Sequence, residues 1–232
     1  MSITSRPAWE PNEVESIATR RARRISPDAP FLIGVCGGSG SGKTLLVSSV
    51  AEALGEDRVL VVHQDSYYRD LTHLTFEERA QMNFDHPSAF DNELLYEQLQ
   101  SLLAGKVIRQ PIYDYTKHTR KPEFKEVGPR PIIFLDGILI LDDPKLREVM
   151  DIRVFMESEG DVRLIRRIRR DMRERARSLE NILEQYETQV RPMHEQFVDP
   201  SRRWADIIIP HGGKNEIAVD MVVTKVKAMV GM

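Results

Sequence analysis

The chain has 232 residues, of which 41% are hydrophobic and 30% charged, and its formal net charge is −3 at pH 7. This length and apolar content suit one α/β domain with or without an appended segment, and the charge gives no reason to expect a nucleic-acid or membrane-surface partner. No apolar run approaches the roughly 18 residues needed to cross a bilayer. The single cysteine, Cys36, excludes an intramolecular disulfide, which suits a reducing compartment. We therefore expect a cytoplasmic protein.

The first 28 residues are expected to form an N-terminal extension ahead of a domain that covers residues 29–232. The extension contains a cluster of four arginines but no apolar segment, so it does not resemble a secretory signal. Three glutamates between residues 10 and 15 argue against an organelle transit peptide, which is poor in acidic residues. A short helix from about Asn12 to Arg24 is the simplest interpretation.

Short apolar runs alternate with helical patterns along the rest of the chain. The expected strands are FLIGVC (31–36), RVLVV (58–62), PIIFL (131–135), IRVFM (152–156) and ADIIIP (205–210). The expected helices cover residues 43–54, 91–104, 161–175, 179–197 and 215–228. Runs that are apolar throughout indicate strands buried on both faces of a parallel sheet. The alternation therefore predicts a doubly wound α/β fold.

The segment GGSGSGKT matches a P-loop, the phosphate-binding motif G-x4-G-K-[ST], between a predicted strand and a predicted helix. Main-chain N–H groups of such a loop converge on phosphate oxygens, and the helix N-terminus adds partial positive charge. Lys43 is expected to reach the β- and γ-phosphates, and Thr44 to bind Mg²⁺. The residues expected to hold the nucleotide are Gly37, Gly38, Ser39, Gly40, Ser41, Gly42, Lys43 and Thr44.

Two carboxylates follow predicted strands. Asp136 comes directly after PIIFL, where it is expected to hold Mg²⁺ directly or through water; the alternative is that it only begins a turn. Asp65 follows the second strand and is expected at the same edge of the sheet. There it could accept the proton of an attacking hydroxyl, which contributes roughly 10²–10⁴ in rate, or serve as a further Mg²⁺ ligand. A turn-forming role is again the alternative.

The stretch NFDHPSAFDN, residues 83–92, precedes a predicted helix and holds three candidate polar residues. Asp91 or Asn92 is expected to cap that helix. Asp85 is not needed as a helix cap and could bind two ribose hydroxyls.

The segment 106–125 is expected to be extended, because Pro111 and Pro122 block long helices. A β-hairpin flap inserted between core elements is the simplest form. Within it, Tyr113 offers a stacking surface and His118 a hydrogen-bonding ring, at base-recognising distance from each other.

The segment 161–180, DVRLIRRIRRDMRERARSLE, predicts a helix with eight arginines. Its apolar residues recur at helical spacing, so their face is expected to pack against the domain. These residues are Leu164, Ile165, Ile168 and Met172. Because guanidinium groups suit phosphate oxygens, we interpret the segment as a lid over a triphosphate, with some of its arginines solvated.

Six motifs together make the chain resemble the uridine–cytidine kinases from about Pro30 to Lys227. They are GGSGSGKT, QDSYYRDL, NFDHPSAFDNELL, PIYDYTKHTR, RLIRRIRRDMRERARSLENILEQY and ADIIIPHGGKN. The resemblance implies ATP-dependent phosphorylation of the 5'-hydroxyl of uridine and cytidine, with GTP as an alternative donor. It also implies a P-loop nucleoside kinase fold, with a five-stranded parallel sheet flanked by helices, a β-hairpin flap and an Arg-rich helical lid. A homotetramer, feedback inhibition by pyrimidine triphosphates and a role in pyrimidine salvage are further implications.

The resemblance also implies a role for individual residues. Asp65 would be the base, Asp85 would hold the ribose hydroxyls, and His118 would face the exocyclic group at C4 of the pyrimidine. Further nucleoside contacts are implied for Tyr68, Tyr113, Arg167, Arg177 and Gln185. Phosphate contacts are implied for the lid residues Arg170 and Arg175, and a contact with the donor for Lys214.

The chain departs from the family pattern at four places. Asp136 stands where the family usually has Glu, which would shift the coordination of Mg²⁺ from direct towards water-mediated. Leu45 stands at a Thr or Ser position, and Ala176 at a Gly position between two lid arginines. His211 and Lys214 stand where the family tends to have Arg and often a carboxylate.

Two other functions stay open at this point. A relative with another small acceptor, such as a phosphoribulokinase or a pantothenate kinase, would share the P-loop and the Asp base but lack the PIYDYTKHTR hairpin. A nucleotide-dependent RNA-binding protein would use the Arg-rich helix, but apolar residues and acids interrupt those arginines and the chain is net acidic. The expected partner is a small nucleoside, and neither a nucleic acid nor a membrane.

Overall fold

The computed structural model of the chain describes residues 16–22, 29–175, 177–212 and 215–231. The strands are β1 (Phe31–Cys36), β2 (Val59–His63), β3 (Ile108–Asp114), β4 (Thr119–Val127), β5 (Ile132–Gly137), β6 (Ile152–Met156) and β7 (Ile207–Ile209). The helices are α1 (Ile17–Ala22), α2 (Lys43–Leu54), α3 (Phe76–Ala80), α4 (Asn92–Leu103), α5 (Pro144–Val149), α6 (Gly160–Glu174), α7 (Leu179–Gln185), α8 (Arg191–Met193), α9 (Asp199–Ser201) and α10 (Glu216–Val230). None of the helices in these ranges is long and apolar enough to cross a membrane.

Five strands form one parallel sheet in the order β2-β5-β1-β6-β7. The predicted five-stranded parallel sheet is therefore confirmed, and β1 lies at its centre. Every residue of β1 and β5 is buried, because helices cover both faces of a parallel sheet. The carboxyl ends of all five strands lie at one edge, where the segments with the conspicuous motifs begin.

Two apolar layers cover the sheet, one on each face. On one face, α2 and α10 pack through Leu46, Val50, Leu54, Val222 and Val226. On the other face, α4 and α5 pack through Leu95, Leu99, Leu102 and Leu146. The strands are thus held between two helical layers, which gives the rim of the sheet a rigid base.

The predicted flap is an antiparallel hairpin of β3 and β4 that stands outside the main sheet. Its pairing runs from Ile108 opposite Val127 to Asp114 opposite Thr119. Thr119 ties the hairpin to the domain, since its hydroxyl accepts a hydrogen bond from the main-chain N–H of Leu71 at 3.0 Å.

Helix α6 packs through its charged face, so the prediction that its apolar stripe packs is wrong. Ile165 and Met172, two residues of that stripe, are 47% and 52% exposed, whereas Arg167 and Asp171 are buried. The buried face lies against the phosphate loop, where Arg167 Nη1 donates to Ser39 Oγ at 3.0 Å. Because the neighbouring surface is polar, this helix does not follow the rule that an apolar stripe faces the core.

The helix predicted over 179–197 is longer and less regular than the sequence suggested. Helical turns continue from Leu179 to Trp204 but widen to π turns at Tyr186–Val190 and His194–Val198. Pro192 and Pro200 follow these two turns. A proline removes the i→i−4 hydrogen bond, and its ring clashes with the carbonyl of residue i−4. That carbonyl lies within a π turn in both cases, and we attribute the widening to this clash.

Helix α1 is held to the sheet by Arg20. Both terminal nitrogens of Arg20 donate to Asp206 at 2.6 Å, and Nη1 also donates to the main-chain oxygen of Asp151 at 3.1 Å. Asp151 and Asp206 precede β6 and β7, so α1 is fixed to the amino ends of the strands, opposite the motif-bearing edge. Residues 1–15 and 23–28 of the expected extension lie outside the described residues.

The two hydrogen bonds from Arg20 to Asp206, which form a clamp between α1 and the sheet, should stabilise the fold measurably. Both side chains are largely buried, and hydrogen bonds between charged groups contribute about 1.5–3 kcal/mol. We expect Arg20→Ala to lower Tm by roughly 3–12 °C, since a protein of this size loses about 2–4 °C per kcal/mol. Arg191→Ala is the control, because its ion pair with Glu195 is well exposed and worth about 0–1 kcal/mol. Equal Tm values for the two variants would contradict the clamp.

The same clamp should depend on pH in a defined direction. Burial alone would raise the pKa of Asp206, but hydrogen bonds from Arg20 and Arg153 lower this pKa to about 2. The ordinary pKa of an aspartate is about 3.9, so the stabilisation is complete above that value and is lost as the pH falls towards 2. Thermal denaturation between pH 7 and 2.5 should show the difference between wild type and Arg20→Ala shrinking only below about pH 4.

Candidate active site

The phosphate loop, residues 37–42, is a tight turn that only glycine can complete at Gly40. Gly40 has a φ of 80°, and a Cβ there would lie 2.4 Å from the main-chain oxygen of Arg163 at the start of α6. Gly42, with a φ of 96°, precedes the first residue of α2. Positive φ values turn successive N–H groups to one side of the chain, which forms a concave anion site at the helix N-terminus.

Lys43 lies across this loop. Its side chain is buried, and Nζ donates to the carbonyl oxygens of Gly37 and Gly38 at 2.8 and 3.2 Å. The buried Ser41 Oγ has no hydrogen-bond partner among the described residues. A buried polar atom of this kind normally has a partner, so the loop fits a phosphate ligand. Lys214, the other expected donor contact, lies outside the described residues.

Asp136 connects three segments at the edge of the sheet. It lies at the end of β5, in register with Val35 of β1 and His63 of β2. Thr44 Oγ1 donates to Asp136 Oδ2 at 2.9 Å, and His63 Nδ1 lies 3.4 Å from the same oxygen. Burial works to raise the pKa of Asp136, but His63, Lys43 and Thr44 together hold this pKa below its ordinary value. Asp136 is thus a firmly ionised carboxylate.

The oxygens of Thr44 and Asp136 fit a magnesium ion. Mg²⁺ is usually held by one or two carboxylates together with substrate phosphates and waters. In the part of the chain that the structure describes, no three His, Cys, Asp or Glu side chains are grouped so as to hold a metal ion by themselves. A magnesium site here would therefore be completed by phosphate oxygens.

Asp65 lies one strand away, in the 3-10 turn Gln64–Tyr67 that follows β2. Loss of solvent raises the pKa of its carboxyl group, and the charge of Asp136 raises it further, while Arg175, Lys43 and His63 oppose the change. The pKa of Asp65 thus shifts in the opposite direction from that of Asp136. A raised pKa makes Asp65 the more basic of the two carboxylates and suits proton transfer.

Asp85 faces the same cleft from the loop before α4. Its side chain is buried, and burial raises its pKa against the opposing charge of Arg167. The capping role falls to Asp91, whose side chain accepts a hydrogen bond from the N–H of Leu94 at 3.3 Å. The expected cap is thus confirmed at Asp91, whereas binding of a ligand by Asp85 stays a prediction.

Aromatic rings form one wall of the cleft. Tyr68 stacks on Phe90 with centroids 4.4 Å apart and contacts Tyr113 at 4.9 Å. Tyr113 and His118 are not in direct ring contact, because Phe84 lies between them, 6.4 Å from Tyr113 and 5.3 Å from His118. The sequence pattern suggested a pair of rings, and the structure has three rings in a row.

The polar atoms of this wall are suited to a neutral hydrogen-bonding ligand. Burial lowers the pKa of His118, and the charges of Arg177 and Arg79 lower it further. The imidazole is therefore neutral at pH 7, with one nitrogen that donates and one that accepts. The buried hydroxyl of Tyr113 has no hydrogen-bond partner within the described ranges.

The lid helix α6 closes the cleft from the other side. Arg166 Nη1 donates to Gly40 O at 3.3 Å, next to the contact between Arg167 and Ser39. Arg170, Arg175 and Arg177 line the space between these residues and the aromatic wall. The volume of the cleft is about 640 Å³, which lies in the usual range for small-molecule sites.

Most of the residues predicted from the sequence meet in this single cleft. Ser39, Gly40, Gly42, Lys43, Thr44, Asp65, Tyr68, Asp85, Tyr113, His118, Asp136, Arg167, Arg170, Arg175, Arg177 and Gln185 line it. Gly37, Gly38 and Ser41 shape the loop without lining the cleft. Leu45 also lines it and is 44% exposed.

Besides Leu45, seven lining residues were not among the predicted site residues, namely His63, Phe84, Tyr115, Gly137, Ile138, Arg166 and Glu174. Phe84 and Tyr115 lie within quoted motifs, next to Asp85 and two residues after Tyr113. Tyr115 lies in the turn that follows β3. Arg175 lies over the Tyr115 ring, 5.3 Å from its centroid. His63, the partner of Asp136, ends a strand and carries no sequence signal of its own.

Sequence comparison gives a consistent set of relatives. Residues 32–218 match the model of the phosphoribulokinase/uridine kinase family. A uridine kinase of Alkaliphilus metalliredigens is 52% identical over 201 residues, which are 87% of this chain and 97% of the relative. A uridine kinase of Ligilactobacillus salivarius is 52% identical over 198 residues, 85% of this chain and 93% of the relative.

Solved structures share the fold at low identity. A D-glycerate 3-kinase from Cryptococcus neoformans superposes with a TM-score of 0.62 at 18% identity, covering 85% of this chain and 92% of the other. A possible uridine kinase from Bacillus stearothermophilus gives a TM-score of 0.54 at 19% identity, with 83% and 94% covered. The architecture is therefore that of P-loop kinases.

The phosphate loop can be tested through Gly40. We expect Gly40→Ala to weaken binding of a magnesium–nucleoside triphosphate by at least about tenfold, because the added methyl group would clash with the main chain of α6. Isothermal titration calorimetry measures the change. Gly105→Ala is the matched control, since Gly105 also has a positive φ but a Cβ there would meet nothing within 4 Å. Equal affinities of the two variants would show that Gly40 does not shape the site.

Proposed function

Since the chain belongs to the phosphoribulokinase/uridine kinase family, we propose that it is a uridine kinase, which transfers the terminal phosphate of ATP to the 5'-hydroxyl of uridine and also accepts cytidine. Relatives that are 52% identical over most of their length carry the name uridine kinase. The observation that carries the proposal is the single cleft, in which a phosphate loop faces a carboxylate-bearing aromatic wall.

The donor half of the cleft is built around the phosphate loop. The main-chain N–H groups of residues 37–42 and the ammonium group of Lys43 bind the phosphates of ATP, with GTP as a second donor. Thr44 and Asp136 hold Mg²⁺, which neutralises charge on the phosphate oxygens when it is bound. Asp136 stands where the family usually has Glu, and its side chain is one methylene shorter. Because this side chain already accepts a hydrogen bond from Thr44, it suits contact with the ion through water.

The acceptor half holds the nucleoside by its sugar and its base. Asp85 accepts hydrogen bonds from the two ribose hydroxyls, which satisfies its buried carboxylate. Tyr68 and Tyr113 contact the pyrimidine, and the neutral imidazole of His118 faces its C4 substituent. Because neutral imidazole both donates and accepts, His118 suits the carbonyl of uracil as well as the amino group of cytosine. Arg167, Arg177 and Gln185 complete the nucleoside contacts.

Asp65 is the base for the transfer. As the 5'-oxygen forms its bond to the γ-phosphorus and the bond to the ADP oxygen breaks, the hydroxyl proton passes to Asp65. Asp65 also lies near the magnesium site. Arg170 and Arg175 bind the oxygens of the transferred group, where charge must be stabilised in the transition state. The charge of Arg175 acts to lower the pKa of Asp65, which supports a role for this cation beside the base.

The two other functions considered from the sequence fit the cleft less well. An RNA-binding helix would present its arginines to solvent, but Arg163 and Arg167 are buried and α6 faces the phosphate loop. A sugar phosphate has no base to contact, whereas the acceptor side carries the rings of Tyr68, Phe84 and Tyr113 beside its arginines. Both observations support a nucleoside acceptor.

The proposal extends to the setting of the enzyme. It acts in the cytoplasm in the salvage of pyrimidine nucleosides, and its one cysteine suits a reducing compartment. It forms a homotetramer. Ile207 and Ile208 of the edge strand β7, with Ile217 and Met221 of α10, are exposed apolar side chains of the kind that contacts between subunits cover.

A steady-state panel tests the function. We expect uridine and cytidine to give their 5'-monophosphates with ATP and Mg²⁺, measured by coupled release of ADP. The 2'-deoxyuridine control should have a kcat/KM at least about tenfold lower, since it leaves Asp85 without one hydroxyl partner. Turnover with ribulose 5-phosphate tests the alternative class of acceptor, and turnover with GTP in place of ATP tests the alternative donor. No turnover with either uridine or cytidine would refute the proposal.

The base can be tested by removing its charge. We expect Asp65→Asn to lower kcat by about 10²–10⁴ while KM for uridine changes little, because the side chain keeps its size. In the wild type, kcat should decline as the pH falls through the raised pKa of Asp65, since only the ionised form accepts a proton. The variant should lack this acidic decline. Asp57→Asn is the control, because Asp57 is exposed, precedes the amino end of β2 and does not line the cleft.

Two results would remove Asp65 from this role. One is a loss of uridine binding that matches the loss of kcat, which would make it a substrate ligand. The other is an acidic decline that persists unchanged in Asp65→Asn.

A further inference from the structure

One buried carboxylate near the end of α6 meets four guanidinium groups. The side chain of Asp171 is fully buried. Two of its partners form hydrogen bonds and two lie at ion-pair distance. The nearest nitrogens of Arg170, Arg177, Arg167 and Arg175 lie 2.8, 3.2, 3.7 and 3.8 Å from its oxygens. These are the four arginines of the expected lid and nucleoside contacts.

The main chain of Asp171 holds two of these arginines as well. Its carbonyl oxygen accepts hydrogen bonds from the N–H groups of Arg175 and Arg177, at 3.1 and 3.3 Å. Both residues lie beyond the last residue of α6. Asp171 therefore holds the main-chain N–H groups of both residues as well as their side chains.

The partners of Asp171 reach into both halves of the cleft. Arg167 donates to Ser39 in the phosphate loop at 3.0 Å. Arg167 and Arg177 both donate to Gln185 Oε1, at 2.7 and 2.8 Å. Arg175 lies over the ring of Tyr115 in the hairpin. The carboxylate thus lies where the loop, the lid and the hairpin meet.

Four like charges so close together repel one another, and each long side chain has many rotamers to lose. A single buried carboxylate reduces the repulsion and fixes the directions of the guanidinium planes. It leaves an excess of positive charge in the cleft, which the phosphates of a donor require. Asp171 itself lines no part of the cleft.

We propose that Asp171 is a positioning residue, which holds Arg167, Arg170, Arg175 and Arg177 in the orientations that phosphoryl transfer needs. The inference rests on the proposed kinase function. Electrostatic stabilisation of a transition state depends on charges that are already in place before the reaction. Asp171 acts only through the arginines, so its loss affects the chemical step more than the attraction of ATP to the cleft.

The experiment compares Asp171→Asn and Asp171→Glu with the wild type. Uridine titrations by calorimetry count the binding-competent chains, and kcat is expressed per uridine site, so that misfolded protein does not contribute. We expect kcat per site to fall by about 100-fold in Asp171→Asn, with KM for ATP unchanged or lower, because the cleft gains one net positive charge. Asp171→Glu keeps the charge and displaces it by one methylene, so its kcat should be intermediate.

Asp161→Asn is the matched control, since Asp161 is an exposed aspartate in the first turn of the same helix. A kcat per site within about threefold of wild type in both Asp171 variants, or a loss confined to KM, would overturn the proposal. If Asp171→Asn binds no uridine, Asp171→Glu decides by the same criterion. Wild-type protein without kinase activity would instead refute the proposed function itself, so the two failures are distinguishable.

Discussion

The parallel pairing of β1 with β5, and of β5 with β2, is the constraint on which the site depends. The register sets Val35 beside Asp136 and Asp136 beside His63. The chain leaves these strands as the phosphate loop, as the Asp136 turn and as the turn that holds Asp65. Asp136 thereby meets the Asp65 turn and the phosphate loop, which lie about 70 and about 95 residues earlier in the sequence, at one edge of the sheet, as the switch point of an open α/β sheet requires. The 2.9 Å hydrogen bond from Thr44 to Asp136 is a consequence of this register.

Two carboxylates whose pKa values shift in opposite directions lie at this same edge of the sheet. Asp136 keeps its charge because Thr44, His63 and Lys43 stabilise it. Asp65 is deprived of solvent and faces the charge of Asp136, so its affinity for a proton rises. One residue is suited to a cation and the other to a proton, although both are aspartates that follow a strand. The environment, and not the residue type, assigns the roles.

The sequence predicted those features that depend on local pattern. The apolar runs gave the five strands, the glycine spacing gave the loop, and Asp91 was a candidate cap because of its place before a helix. The packing of α6 could not be predicted in this way, since periodicity assumes an apolar neighbour and its neighbour is the phosphate loop. Phe84 was missed because its position between Tyr113 and His118 depends on how two distant segments approach. The short helices α3 and α5 do carry local signals, the capping box of Thr75 and Glu78 and the cap Asp143.

Arg120 connects the aromatic wall of the cleft to the turn that contains Asp65. It projects from the hairpin, and its guanidinium group donates to the main-chain oxygens of Tyr68 and Tyr67, at 2.7 and 3.3 Å, and to Asp91 at 3.1 Å. Tyr67 ends the turn that contains Asp65, and Asp91 caps α4. One guanidinium group therefore links the hairpin, the turn and the helix. Because displacements of about 1 Å in bound groups can cost roughly 10²-fold in rate, this link would keep the proposed base Asp65 and the aromatic wall at a fixed separation in the proposed kinase.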